Sequence, residues 1–344
     1  MPLLEARDLV KLFPLPRSWL ARSRSEPQRV VHAVDGVSFE VGVGETLAIV
    51  GESGSGKTTL GRLVLGLLEP TSGQILFEGE DVTRWSVEQS LRLRRQVQVV
   101  FQDPYSSLDP RQRVADAIRE PLDIHGVGTS AERRRRVGEL VEQVHLPPRY
   151  ARSYPHELSG GLRQRVCIAT ALALGPKLIV ADEPVSALDV SVQAQILDLL
   201  AELQRDTGIA YILISHDLGV VEQLSDRVAV MYLGKILETG PVERVFEQPV
   251  QPYTRALLSA IPNADPTVEH EPIRLTGDVP TPIDPPAGCP FHPRCWLTVD
   301  ACTHIVPSLL EYEQGHFGAC HVTAAEHGLG VLAGNGSKEQ VPHG

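Results

Sequence analysis

Gly51-Glu52-Ser53-Gly54-Ser55-Gly56-Lys57-Thr58 decides the fold. The stretch fits G-x-x-x-x-G-K-[ST], a loop that cradles nucleotide phosphates. The buried-type run Thr46-Leu47-Ala48-Ile49-Val50 leads into it, and a helical pattern from Thr59 to Leu68 follows. Strand, Gly-rich turn and helix are the context the motif requires. Glycines let the backbone curl so that successive N–H groups point at phosphate oxygens. The helix N-terminus adds about half a positive charge. Gly51, Ser53, Gly54, Ser55, Gly56, Lys57, Thr58 and Thr59 are the candidate nucleotide contacts. Lys57 is expected to reach the β- and γ-phosphates, and the Thr58 hydroxyl to ligate Mg²⁺. Such a loop specifies a nucleotide, not a task.

Two further stretches supply chemistry. Lys177-Leu178-Ile179-Val180-Ala181-Asp182-Glu183-Pro184 ends an apolar strand in adjacent carboxylates, which point to opposite sides of the strand. Asp182 is the better Mg²⁺ partner, which leaves Glu183 free to polarise an attacking water as general base. Leu158-Ser159-Gly160-Gly161-Leu162-Arg163-Gln164-Arg165 opens a helix with Ser159 as N-cap, a second anion site on exposed backbone N–H groups. It does not easily serve the same phosphate as Lys57 within one chain. Two chains facing each other, each offering this turn to the other's γ-phosphate, resolve the geometry.

Outward from these motifs the chain reads as α/β. Leu178–Ala181 and Ile209–Ile214 are continuous apolar runs, typical of central parallel strands, and a helical pattern over 191–205 joins them as a βαβ unit. Leu3–Arg7 and Val37–Val41 read as strands, and residues about 105–175 as a helical subdomain in which Arg133–Arg136 form a solvated face. The segment Pro14–Arg29, with Arg17, Trp19, Arg22, Arg24 and Arg29, reads as a solvated loop, with a basic, aromatic loop touching lipid or a membrane partner as the alternative. Pro280, Pro282, Pro285, Pro286, Pro290 and Pro293 crowd a loop-rich region, so a domain boundary is expected near 260. The chain then divides into a core over 1–260, an extension over 261–325 and a disordered tail over 326–344.

Composition excludes other classes. The 344 residues suit about two domains, with 42% hydrophobic and 22% charged residues, the globular norm. The formal net charge of −11 argues against nucleic acid as a partner. No apolar run approaches the ~18 residues that span a bilayer, and Met1–Arg7 lacks the order of a signal peptide. A cytosolic chain is expected, working at a membrane only through another chain.

With these motifs in order, the chain resembles the ATP-binding subunits of ATP-binding cassette (ABC) transporters over about residues 3–260. Leu158–Leu162 is similar to the family signature, with Leu162 where Gln is usual. The resemblance implies a P-loop NTPase core, with Gln102 as the Q-loop residue that ligates Mg²⁺ and senses the membrane subunit. It implies Ser186-Ala187-Leu188-Asp189 as the D-loop, and His216 as the switch histidine on the γ-phosphate. Phe13 lies where the family stacks an aromatic on adenine. Glu183, His216 and Gln102 are thus the catalytic candidates. Ser159, Gly160, Gly161 and Asp189 are ATP contacts, and Thr58, Gln102 and Asp182 are Mg²⁺ ligands.

Gln251–Leu258 and Gly277–Cys295 resemble the C-terminal extension of oligopeptide/dipeptide importer ATPases, closer to the "F" member of the usual pair. That implies a second ATPase subunit, in a hetero- or homodimer, two transmembrane permeases and an extracytoplasmic binding protein, at the cytoplasmic face of the cell membrane. Nickel, sugar or glutathione are alternative solutes, and a soluble ABC ATPase is a more distant alternative. Cys289, Cys295, Cys302 and Cys320 follow C-x5-C-x6-C-x17-C. They are either reduced thiols without a metal or metal ligands. Four thiolates suit Zn²⁺ or a [4Fe–4S] cluster, and the resemblance implies [4Fe–4S]. Since nothing demands redox turnover, a cluster reads as a structural clip. His292, His304, His316 and His321 nearby are expected to be mostly solvated. Cys167, among apolar residues, reads as packing.

Overall fold

The apolar runs become the central strands. Thr46–Val50, Leu178–Asp182 and Ala210–Ser215 are buried along nearly their whole length, as parallel strands covered on both faces must be. The computed structural model describes residues 1–15, 28–84, 87–261 and 271–329. Among them the strands are β1 (Leu4–Pro14), β2 (Val30–Val41), β3 (Thr46–Val50), β4 (Ser72–Phe77), β5 (Glu80–Asp81) and β6 (Val97–Val100). They continue with β7 (Leu178–Asp182), β8 (Ala210–Ser215), β9 (Arg227–Tyr232), β10 (Lys235–Pro241), β11 (Leu310–Glu313) and β12 (His316–Gly318).

The main sheet runs β11-β12-β10-β9-β3-β8-β7-β6. From β9 to β6 it is parallel, with Leu47 opposite Ile212 and Ala181 opposite Leu213. Helix Val190–Thr207 joins β7 to β8 as expected, and ends on Gly208 in the left-handed conformation. A second, antiparallel sheet, β2-β1-β4-β5, packs Leu4, Leu9, Val34 and Val37 with Leu47, Ile49 and Leu60 into one apolar cluster. The carboxyl ends of β3, β7 and β8 therefore open on one rim, where open α/β sheets bind ligands.

Helices Pro104–Ser107, Val114–Ile124, Ser130–Gln143 and Gly160–Leu172 fill the region expected to be helical. Thr129 and Glu132 form a reciprocal capping box that starts the third of these. Its Val137, Leu140 and Val141 join Ile118, Leu122, Val166 and Ile168 in the larger core. The four-arginine run on that helix is only partly a solvated face. Arg134 and Arg135 are exposed, whereas Arg133 bonds the Val127 carbonyl at 2.9 Å and Asp123 at 2.5 Å, and Arg136 reaches the Leu172 carbonyl at 3.2 Å.

The C-terminal extension is not an isolated unit. Residues 271–309 are loop-rich, but β12 pairs antiparallel with β10 and so adds the extension to the main sheet. Phe291, Cys289 and Cys302 belong to the same buried cluster as Tyr232 and Tyr253. Glu238 of β10 is fully buried and accepts from the Val250 and Gln251 N–H groups at 2.8 and 3.0 Å, while His316 of β12 meets it at 2.8 Å. A helix over His321–Glu326 extends the described chain to 329. Arg17, Trp19, Arg22 and Arg24, and most of the expected tail over 326–344, lie outside the described residues. Among the described residues no helix is long and apolar enough to cross a membrane.

Candidate functional site

The phosphate loop is built by close backbone approach. Gly51 has φ +149°, and a Cβ on it would lie 2.0 Å from the Met231 carbonyl oxygen. Gly56 has φ +107°, and a Cβ there would lie 2.1 Å from the Ala33 carbonyl oxygen. Only glycine fits either position. Gly56 then caps helix Lys57–Val64 without a side-chain bond of its own. The Lys57 ammonium is buried and donates to the Gly51 and Glu52 carbonyls at 2.6 and 2.9 Å. Burial pulls its pKa down, against the opposing pull of the Glu183, Asp182 and Glu52 carboxylates.

Asp182 ends β7 and Glu183 follows just outside the strand, so strand alternation does not set their directions. The Thr58 hydroxyl lies 3.5 Å from Asp182 Oδ1. Burial pushes the Asp182 carboxyl above its ordinary range, and the charge of Glu183 adds to that. The Asp182 carboxylate beside the Thr58 hydroxyl is an all-oxygen pair that suits a hard divalent cation. Glu183 turns the other way. Its backbone takes φ +50°, a costly conformation for a residue with a side chain, and its N–H is fixed to the Ile214 carbonyl at 2.8 Å. Its carboxylate is held at both ends: Gln102 Nε2 donates to Oε2 at 2.6 Å, and His216 Nδ1 meets Oε1 at 2.9 Å. The ends of β6, β7 and β8 thus converge on one side chain.

One open cavity of about 710 Å³ collects most of these groups, although Asp182 is not in its lining. Ser53, Gly54, Gly56, Lys57, Thr58 and Thr59 line it, with Gln102, Glu183 and His216. Gly51 and Ser55 lie buried beneath the loop. Phe13 is not in the lining. It pairs with Val31 across β1 and β2, and the Lys11 ammonium lies 5.2 Å from its ring. Val31, Ala33 and Pro282 line the cavity, three small apolar contributions that carry no sequence motif and that sequence reasoning missed. Ser159, Gly160, Gly161 and Asp189 do not line it either. Ser159 caps helix Gly160–Leu172, accepting from the Leu162 N–H at 3.4 Å. Gly161 is glycine because a Cβ would come within 2.4 Å of Val192 Cγ1. Leu162 is partly buried and packs on the core.

The cysteine expectation fares differently. The four thiols of Cys289, Cys295, Cys302 and Cys320 lie close enough to affect one another's ionisation, and the Cys289 N–H bonds the Cys302 carbonyl at 2.8 Å. Burial holds Cys289 as a thiol, its pKa pushed up to about 12, and raises Cys295 as well. Among the described residues no group of three or more Cys, His, Asp or Glu side chains is arranged to hold a metal ion. The donor set as folded thus does not fit [4Fe–4S] or Zn²⁺. Two of the neighbouring histidines are not solvated as expected. His316 is buried on Glu238, and His321 lies 2.9 Å from the Ile305 carbonyl. Cys167 is plain packing, its thiol pushed up to about 12 by burial.

Comparison with known proteins adds three findings. Residues 34–186 match the ABC transporter family, and residues 237–302 match the oligopeptide/dipeptide transporter C-terminal region. A putative peptide import ATP-binding protein of Brucella ovis is 50% identical over 319 residues, 93% of this chain and 97% of that one. The oligopeptide transport ATP-binding protein AppF of Bacillus subtilis is 48% identical over 324 residues, with the same two coverages. Among solved structures, cbiO1 of Clostridium perfringens, part of an ABC transporter complex, superposes with a TM-score of 0.62 at 30% identity, covering 72% of this chain and 91% of that one. A dimeric ATP-binding cassette bound to ADP and Pi gives 0.60 at 26% identity, covering 70% and 98%.

Proposed function

The chain belongs to the ABC transporter family, among its peptide-import ATP-binding subunits, and from that premise we propose that it hydrolyses ATP to drive uptake of di- or oligopeptides. The observation that carries the proposal is the Glu183 carboxylate, held between Gln102 and His216 at the mouth of the phosphate-loop cavity. A carboxylate fixed at both ends is positioned to accept a proton from a water attacking the terminal phosphate.

Each residue then has a task. The loop N–H groups and Lys57 bind the phosphates, Lys57 exchanging its contacts with the loop carbonyls for phosphate oxygens. Thr58, Asp182 and Gln102 would hold Mg²⁺, which when bound neutralises phosphate charge. His216 orients Glu183 and faces the γ-phosphate. Val31, Ala33 and Pro282 offer the apolar wall for the base, while Phe13 stacks on it only by approaching from outside the present lining. Ser159, Gly160, Gly161 and Asp189 stand apart from this cavity, which supports their serving a second ATPase subunit. Two ATP molecules between two such subunits would favour the closed pair, and hydrolysis would release it.

The membrane lies in the partners: two permeases, which also meet the external binding protein, would carry peptide while this chain stays at the cytoplasmic face. No step is assigned to the four cysteines. As folded the four thiols do not make a [4Fe–4S] or Zn²⁺ site; stoichiometric iron and sulfide, or zinc, in anaerobically prepared protein would establish the clip that the resemblance implies, and their lack would retire it. The test of the whole reading is reconstitution. Copurified with its membrane chains and placed in liposomes, the protein should take up labelled peptide on MgATP. The Lys57→Ala variant should not. Peptide uptake independent of ATP, or a purified assembly with no integral membrane chain, overturns it.

A further inference from the structure

Two stretches with no part in the reaction so far meet beneath the phosphate loop. Tyr253 comes from helix Pro252–Leu258, and Phe291 and Arg294 from the loop that carries Cys289 and Cys295. Tyr253, Phe291 and Tyr232 of β9 are each fully buried and form a three-ring cluster with centroids 4.7–5.4 Å apart. From that cluster the Tyr253 hydroxyl accepts the Glu52 backbone N–H at 2.8 Å. Beside it the Arg294 guanidinium grips the Glu52 carboxylate with two bonds, 2.7 and 3.2 Å. The Arg294 side chain is 9% exposed and the Glu52 side chain 26%, so the fork is sheltered mainly on the arginine side. On another side of the cavity the Pro282 carbonyl accepts the His32 N–H at 2.8 Å, which brings Pro282 to the wall.

Glu52 is the anomaly that gives these contacts a purpose. It is a carboxylate within a loop whose work is to attract anions, close enough to oppose the lowering of the Lys57 pKa. Left alone, it would repel a triphosphate. We propose that Arg294 is a positioning residue for ATP: it neutralises Glu52 and, with Tyr253, fixes the second residue of the phosphate loop, so that the C-terminal extension completes the nucleotide site. The proposal rests on ATP binding at this loop. It also explains why the Cys289–Cys295 loop packs on the core: the loop's last turn delivers Arg294.

The experiment measures KM and kcat for MgATP hydrolysis by the full chain, alongside thermal melting. Arg294→Met should raise KM about tenfold, the effect of one sheltered charge-assisted pair lost, with kcat within about twofold. Arg294→Lys keeps the charge but not the fork, and should raise KM only about threefold. Adding Glu52→Gln to Arg294→Met should restore most of the KM, because the unpaired carboxylate is gone. A lowered melting temperature with unchanged KM overturns the proposal, since the pair then only braces the extension. A KM rise that Glu52→Gln does not relieve overturns it too. Failure of the wild-type chain to bind MgATP above the Lys57→Ala blank is a different result, and refutes the ATP reading itself.

Discussion

Glu183→Gln isolates the basicity of one carboxylate. The replacement has the same shape. Its amide oxygen can accept from Gln102 where Oε2 now does at 2.6 Å, and its amide nitrogen can face His216 Nδ1 where Oε1 lies at 2.9 Å. Both supports survive once His216 takes the tautomer in which Nδ1 accepts from the new amide, so the cavity should keep its form; what disappears is the proton acceptor. A positioned general base contributes about 10²–10⁴ in rate, or about 2.7–5.4 kcal/mol of barrier at 1.36 kcal/mol per decade. Ground-state binding should move the other way. Glu183 is a negative charge facing the phosphate site, and removing it leaves less repulsion there. Phosphate release at saturating MgATP, with equilibrium binding of MgATP measured in parallel, separates the two effects. The expected result is kcat lowered at least about 100-fold with ATP bound as tightly as in wild type or tighter. The Glu183→Ala variant, which leaves Gln102 and His216 without their shared acceptor, should lose rate and also weaken binding. Turnover by Glu183→Gln within about threefold of wild type would refute the role assigned to this side chain.

Other substitutions probe the supports. Asp182→Asn should weaken Mg²⁺-dependent ATP binding by roughly tenfold or more. The same variant tests a sign. Burial raises the Asp182 pKa, so ionisation costs the fold stability as pH climbs through the carboxylate range. Without nucleotide, Asp182→Asn should therefore melt above wild type at pH 7, with the gap closing toward pH 4; a gap that widens on acidification contradicts the burial argument. Gly161→Ala forces a Cβ against Val192 Cγ1 and should cost about 1–3 kcal/mol in urea titration, with Val192→Ala recovering most of it. Glu238→Gln puts an amide N–H₂ among the Val250, Gln251 and His316 donors, and should destabilise by about 2–4 kcal/mol. A loss below 1 kcal/mol, read from the denaturation midpoint, would show that the pocket rearranges around the amide.

What could be read from the sequence was local. The glycines at 51 and 56, the lysine between them and helix, and the paired acids at 182 and 183 sit within a few residues of the strands that aim them. Their chemistry follows from neighbours along the chain. The same holds for β3, β7 and β8, whose apolar runs announce two-sided burial. Gln102 was legible only through a resemblance and His216 also through its place at the end of an apolar strand, but nothing within either stretch says that both close on Glu183. Where the sequence pattern misled, the missing information was a distant partner. His316 looked solvated because its buried acceptor, Glu238, lies 78 positions away. The extension looked separate because pairing between β10 and β12 leaves no mark in composition.

Glu52 and Arg294 are the extreme case, 242 positions apart. Yet the first of the pair carried a signal that physics alone could have raised. Among the small residues between Gly51 and Lys57 it is the one charge, and it has the sign the ligand shares. An acidic residue in an anion cradle must be neutralised or must cost affinity. The question to put to such a sequence is therefore which cation answers it. In the proposed reading Lys57 is committed to the phosphates, so the answer has to come from outside the motif. The Pro- and Cys-rich extension, which looked like an appendage, supplies it. A segment that holds a charge balance inside the phosphate loop cannot be removed without changing how ATP is held, and this ties the C-terminal region to the reaction rather than to the periphery of the chain.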